Sequence, residues 1–250
     1  MNKKEKDLIF GIHPIIEAIR AGKTIDKVFI QKGLHNDLFS ELWELVRRQR
    51  INYKHVPLEK LNRITKKNHQ GVLAFISPIH FHNIENVLPA IYEEGKNPLI
   101  LILDRITDVR NFGAITRTAE CAGVNAILIP EKNSAAINSD AIKTSSGALH
   151  NIAICRTWNL NLSIEFLKNS GVKIISCTEK ASNNIYELDC NRPTAIVMGS
   201  EENGISDEIL ELSDQKVKIP MQGKIKSLNV SVATGVILYE IIRQQINEVV

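Results

Sequence analysis

The chain has 250 residues, 44% of them hydrophobic and 24% charged, with a formal net charge of +3. That is enough chain for one large or two modest domains, each with a real core, and the composition is that of a soluble globular protein. No apolar run approaches the roughly 20 residues of a membrane span, and the charged start at Met1 to Asp7 has no long apolar stretch behind it, so neither a membrane anchor nor a signal peptide is expected and a cytoplasmic protein is.

In chain order, residues 9–20 read as a helix with Pro14 tolerated in its first turn. Residues 27–30 form a short strand. Residues 38–48 place Leu38, Leu42, Leu45 and Val46 at helical spacing. A strand at 53–56, a short helix at 58–64 and a strand at 71–76 complete the alternation. This predicts a small α/β module over residues 1–77.

The module is basic. Residues 1–80 hold 15 Lys and Arg against 8 Asp and Glu, whereas residues 81–250 hold 16 against 20. A basic front end on a mildly acidic body points to a polyanionic partner, a generally solvated surface being the plainer reading. Lys60, Arg63, Lys66 and Lys67 are the candidate phosphate contacts, with a solvated helix face as the alternative.

Pro78, Pro89 and Pro98 punctuate the next stretch, so residues 78–96 read as a linker carrying a helix at 83–94. His80 and His82 alternate there as strand ligands would, but no third ligand is near and they read as solvated.

The remaining residues, 97–250, alternate strands (99–103, 126–129, 152–155, 172–176, 195–198, 217–219) with helices (113–122, 141–146, 162–169, 207–211, 230–247). Unbroken apolar strands such as Leu-Ile-Leu-Ile-Leu indicate a parallel sheet covered on both faces, whose ligands sit beyond the C-terminal strand ends. Cys121, Cys155, Cys177 and Cys190 form no CxxC pair, so buried free thiols are expected and a structural metal is not.

Three strand exits carry polar residues. The first strand runs into Asp104-Arg-Ile-Thr-Asp-Val-Arg-Asn111-Phe-Gly113-Ala-Ile-Thr-Arg117, which puts Asn111 and Gly113 at a strand-to-helix turn and Arg117 one turn into the helix. This is not the GxGxxG of dinucleotide folds. By itself the segment leaves Arg117 either a surface arginine or a group aimed at the helix mouth. The fifth strand runs into Met198-Gly199-Ser-Glu201-Glu-Asn-Gly204, where Gly199 would admit a ligand and Gly204 a tight turn. The sixth leads through Ile219-Pro-Met221 to Ser227-Leu228-Asn229-Val-Ser231, with three small polar residues at a helix entrance.

In order and spacing, Asn-x-Gly-x-x-x-Arg, Met-Gly-Ser-Glu-x-x-Gly and Ile-Pro-Met…Ser-Leu-Asn-Val-Ser resemble the three motifs of the SpoU (TrmH-type) branch of the SPOUT RNA 2′-O-ribose methyltransferases. Phe-Gly-Ile-His-Pro near the start and His69-Gln-Gly-Val resemble the ribosomal-protein-like substrate-binding domain of members that methylate a guanosine in large-subunit ribosomal RNA. The resemblance implies an α/β parallel-sheet SPOUT domain closed by a C-terminal trefoil knot, where periodicity alone predicts an unknotted sheet. It implies S-adenosylmethionine held by backbone at Gly199, Ile219 and Leu228 in a pocket lined by Met198, Met221 and Asn229. It also implies a homodimer packed through the knot domain, with residues 230–242 contributing.

A ribose 2′-hydroxyl must be deprotonated or polarised to attack a sulfonium methyl. The family's motif arginine, Arg117 here, is assigned as base, but guanidinium groups do not deprotonate in proteins. Arg117 is therefore expected to orient and stabilise the ribose–phosphate, with Asn111, Glu201, Ser227 and Asn229 completing the site. Two positions depart from the pattern: Lys226 stands where an acidic residue is common, and Glu202-Asn203 where a smaller residue is. A transfer RNA substrate is the alternative within the class, and a non-catalytic RNA-binding ribosome-assembly factor the alternative outside it.

Overall fold

A computed structural model describes residues 8–225 and 227–247. The charged opening and Lys226, both singled out in the sequence, lie outside the described residues. The chain divides into two compact units between His80 and Phe81.

The first unit runs β1 (Leu8–Phe10), α1 (Ile12–Arg20), β2 (Ile25–Gln31), α2 (Asp37–Arg48), β3 (Tyr53–Val56), α3 (Leu58–Ile64) and β4 (Val72–Ile76). The sheet order is β1-β4-β2-β3, with β4 antiparallel to both neighbours. Ile12, Ile15, Ile16 and Ile19 of α1 and Leu42 and Val46 of α2 pack on Val28, Ile30, Val72 and Ala74. Each such burial is worth about 1.5–3 kcal/mol over exposure. Residues 9 and 10 are strand, not helix as expected from their apolar spacing. Gly11 at φ 91° breaks the chain there, and its N–H donates to Val72 O at 3.2 Å.

The two front-end sequence features meet in one turn. Gln70, itself at φ 51°, accepts from the Ile12 backbone N–H through Oε1 at 3.1 Å, so it satisfies an orphan donor at the start of α1. His69 Nδ1 accepts from Gly71 N–H at 3.0 Å, which leaves the proton on Nε2, 2.9 Å from Asn62 Oδ1.

The second unit begins with α4 (Ile84–Glu93), followed by β5 (Leu99–Asp104), α5 (Val109–Cys121), β6 (Ala126–Pro130), α6 (Ser139–Thr144), β7 (Ala153–Thr157), α7 (Leu160–Asn169) and β8 (Lys173–Cys177). After it come β9 (Asn183–Asn184), β10 (Thr194–Gly199), α8 (Asp207–Leu212), β11 (Gln215–Lys218) and α9 (Val230–Asn247). The sheet order is β7-β6-β5-β10-β8-β11-β9, every neighbouring pair parallel.

Residues 84–93 are not a linker. Ile84, Leu88 and Ile91 are buried among Ile100, Ile102, Ile164 and Leu167, because their i, i+4, i+7 spacing gives α4 an apolar face that only this sheet covers. The thiols also differ from expectation. Cys155 and Cys190 are buried and Cys177 half-buried, but Cys121, in the last turn of α5, is exposed. Among the described residues no helix is long and apolar enough to cross a membrane, and no group of three His, Cys, Asp or Glu is placed to hold a metal.

The architecture fixes where a ligand can sit. The chain leaves β5 toward β6 and β7, then returns to the other side of β10, so β5 and β10 flank the point where strand order reverses. Their C-terminal ends are level, Gly199 pairing with Asp104. Open α/β sheets bind ligands at such a point.

Candidate active site

Glu201, in the loop after β10, is the hub of the site. Its Oε1 accepts from Asn111 Nδ2 at 3.3 Å, Asn229 Nδ2 at 2.5 Å and the Val230 backbone N–H at 3.1 Å. Asn229 Nδ2 also reaches Asn111 Oδ1 at 3.1 Å. One carboxylate thus ties the start of α5 to the start of α9, where the helix dipole favours negative charge. Asn229 is the N-cap of α9: its Oδ1 accepts from Ser231 N–H at 3.0 Å, and its carbonyl takes the first helical bond from Ala233.

Asn111 lies inside α5, not in a turn before it. Asp108 caps the helix, accepting from Asn111 N–H at 2.7 Å, so α5 starts four residues earlier than its apolar pattern suggests. Arg117 therefore sits six residues beyond Asn111, about 120° around the helix from it. It is exposed and bonds to nothing among the described residues. Arg110, a heptad earlier on that face, is exposed too. The structure unites Asn111, Glu201 and Asn229, and leaves Arg117 apart.

The motif glycines serve packing. A Cβ on Gly199 would run into the backbone carbon and oxygen of Gly204. The Ser200–Gly204 turn closes on itself through Ser200 N–H to Gly204 O at 3.1 Å and Gly204 N–H to Ser200 O at 2.9 Å. Gly199 thus makes room for protein backbone, correcting the expectation of a ligand there. Gly204, at φ 64°, takes the tight turn as expected. A Cβ on Gly113 would strike Thr144 Oγ1, so that glycine lets α5 and α6 pack closely.

Two cavities flank Glu201. One, of about 380 Å³, is bounded by the exits of β8, β10 and β11 and by α9; its walls include Met198, Gly199, Ile219, Met221, Ser227 and Leu228. Asn229 is absent from these walls because its side chain is turned to Asn111 and Glu201. The other, of about 430 Å³, lies between residues 105–111 and 200–203. Ser200 to Asn203 and Val230 wall both.

The first cavity fits a ligand with a flat apolar body and a charged tail. Met198, Ile219, Leu228 and Ile237 supply the apolar wall, and Glu201, Lys180 and Lys218 the charged rim. Lys60, Arg63, Lys66 and Lys67 lie in the first unit and are all exposed. Lys60 Nζ stands 5.3 Å from the Phe29 ring centre and Lys67 Nζ 5.3 Å from that of Phe10. Arg105 and Asp108 were missed by sequence reasoning. Asp108 carries the ordinary cap signal, but nothing announces Arg105, whose backbone is left-handed at φ 60°.

A parallel sheet with a polar hub between two cavities at its switch point defines a transferase-like site for two ligands. Residues 98–239 match the SpoU rRNA methylase family, and residues 8–82 match the RNA 2′-O ribose methyltransferase substrate-binding domain. A protein of Staphylococcus saprophyticus assigned to the TrmH family of tRNA/rRNA methyltransferases is 35% identical over 96% of this chain and 97% of its own. The A. aeolicus TrmH/SpoU tRNA modifying enzyme is 36% identical, with a TM-score of 0.56, over 66% of this chain and 85% of its own. The fold of the SpoU methyltransferase AviRb from Streptomyces viridochromogenes, solved with AdoMet, superposes with a TM-score of 0.62 at 22% identity, over 96% of this chain and 90% of that one. The chain belongs to the SpoU (TrmH) family and is an RNA methyltransferase.

Proposed function

We propose that the protein methylates the ribose 2′-hydroxyl of a guanosine in large-subunit (23S) ribosomal RNA, with S-adenosylmethionine as donor. The observation that carries this reading is the Glu201 hub, which binds Asn111 to Asn229 between two cavities. When bound, S-adenosylmethionine supplies an electrophilic sulfonium methyl.

Backbone at Gly199, Ile219 and Leu228, with the side chains of Met198 and Met221, would hold the donor in the first cavity. Glu201 locks Asn111 and Asn229, so the polar groups at the shared wall need no reorganisation during reaction. Ser227 is exposed on the donor side. Arg117, with Arg110 on the same face, offers a guanidinium to ribose–phosphate. The 2′-oxygen forms its bond to the methyl carbon as the carbon–sulfur bond breaks. The hydroxyl proton leaves to the RNA phosphate or to water, since an arginine cannot take it.

The basic cluster at Lys60, Arg63, Lys66 and Lys67 supports a role for the first unit in gripping RNA phosphates. The rRNA methylase family match favours ribosomal RNA. The 36% identity to a tRNA modifying enzyme supports transfer RNA as the second reading. The intact polar hub argues against a non-catalytic assembly factor; failure to bind S-adenosylmethionine in calorimetry would favour it.

The homodimer is proposed through α9. Val232, Val236, Tyr239 and Ile246 are exposed at i, i+4, i+7 and i+14, an apolar stripe opposite the buried Ile237, Leu238 and Ile241. The trefoil knot and the cytoplasmic setting belong to the same reading. Mapping 2′-O-methyl groups in RNA from cells with and without the protein tests it. A site lost from 23S ribosomal RNA is expected; a site lost from transfer RNA moves the assignment, and no loss sinks it.

A further inference from the structure

The second cavity contains a feature that the methyl-transfer reading leaves unused. Arg105 lines it, with a left-handed backbone at φ 60° that costs a non-glycine residue strain. Its Nη2 donates to Gly204 O at 3.2 Å and lies 3.3 Å from Asp104 Oδ2, which also accepts from Ser206 N–H at 2.8 Å. Its Nε is buried and has no hydrogen-bond partner. A buried donor left unpaired is costly, and native proteins keep few of them. Strain and an orphan donor in one residue, at the edge of a cavity beside the hub, mark a group whose partner is a ligand.

The other groups on these walls are acceptors. Asp108 uses Oδ1 to cap Asn111, and Oδ2 has no bond of its own in the structure; Glu202 is exposed. One guanidinium facing carboxylates is a poor match to phosphate, which the acidic groups repel. It does match guanine, which shows two acceptors, O6 and N7, on one edge and N–H donors at N1 and N2 on the next. Adenine offers no acceptor at position 6 and no donor at N1. Resting on the methyltransferase reading, we propose that this cavity seats the base of the acceptor nucleotide, with Arg105 reading O6 and N7 and Asp108 and Glu202 taking the Watson–Crick donors. The shared wall at Ser200 to Asn203 then sets the ribose beside the donor cavity.

The test uses full-length protein and RNA transcripts spanning the nucleotide that mapping identifies, with guanosine, inosine or adenosine at that position. Wild type is expected to methylate guanosine about 5- to 150-fold faster than adenosine, inosine falling between. Arg105→Gly removes the guanidinium, and glycine suits the left-handed backbone, so the fold is preserved. In that variant the guanosine rate is expected to fall to within about threefold of the adenosine rate, with S-adenosylmethionine affinity and melting temperature kept. A mapped nucleotide other than guanosine overturns the proposal. So does a variant that slows on all three RNAs alike, which would make Arg105 a backbone anchor, and so does a variant that loses donor binding, which would make it structural. A wild-type protein that methylates no RNA sinks the methyltransferase reading and this one with it.

Discussion

Asn229 Nδ2 donates to Glu201 Oε1 at 2.5 Å, joining residues 28 positions apart at the mouth of α9. The same oxygen takes the Val230 N–H, so Glu201 performs for the helix what a side-chain cap performs locally. Glu201→Gln is expected to keep the shape and lose the charge. Stability should drop by about 0.3–1 kcal/mol, the size of a helix-end charge effect. Methyl transfer should drop much further, by about 100-fold, because Asn111 and Asn229 lose the acceptor that fixes both. Turnover near wild type, measured with saturating donor, would leave Glu201 a purely structural residue.

Gly199→Ala tests the packing account of the second motif. The added methyl would overlap the Gly204 backbone, which cannot rotate away as a side chain can. A loss of about 1–3 kcal/mol or more in denaturant unfolding is expected. Gly223→Ala, whose added methyl meets little, should change stability by less than about 0.5 kcal/mol. If the two variants unfold alike, the clash is not what requires glycine.

Both motif glycines show why part of the site was readable and part was not. Small residues at three strand exits are visible in the chain, and the parallel sheet that gathers them follows from unbroken apolar strands such as Leu99 to Leu103. What each glycine touches is not visible, because Gly204 and Thr144 reach Gly199 and Gly113 only through tertiary packing. Boundaries slipped for the same reason. Leu8–Phe10 looks helical by spacing, yet becomes a strand because β4 offers it a partner. Ile84–Glu93, flanked by prolines, looks like a linker until Ile84, Leu88 and Ile91 meet the sheet. Arg105 has no sequence signal at all, since a left-handed arginine is a product of its surroundings.

Arg117→Ala separates catalysis from folding. The side chain is exposed and unbonded among the described residues, so stability should stay within about 0.5 kcal/mol of wild type. S-adenosylmethionine affinity should also hold, because Arg117 lies on neither cavity wall. Methyl transfer should fall by about 100-fold or more if the guanidinium stabilises ribose–phosphate. Methylation at the full rate in this variant would remove Arg117 from the mechanism.

Replacing Lys60, Arg63, Lys66 and Lys67 by Glu should weaken RNA binding and flatten its dependence on salt. Each lost phosphate contact lowers the slope of log affinity against log salt by about 0.7–0.9. The four side chains are exposed, so the fold should tolerate the change. An unaltered slope between 50 and 200 mM salt, about the range where such contacts dominate, would show these charges to be merely solvated.

The four thiols should separate by reactivity. Burial pushes Cys155 up to about 12, with the Glu85 charge adding to it. Burial likewise raises Cys190 to about 11, Lys173 opposing part of the rise, and lifts Cys177 higher still. A raised thiol value keeps the protonated form well into alkaline pH, and only the thiolate is nucleophilic. At pH 8 the folded protein should therefore label at Cys121 first, that residue being exposed. The other three should react on the timescale of unfolding, and S-adenosylmethionine should slow Cys177 further, since it lines the donor cavity. Peptide mapping after a timed alkylation reads the order directly. Rapid labelling of Cys155 or Cys190 in the native protein would mean that the sheet core opens without global unfolding.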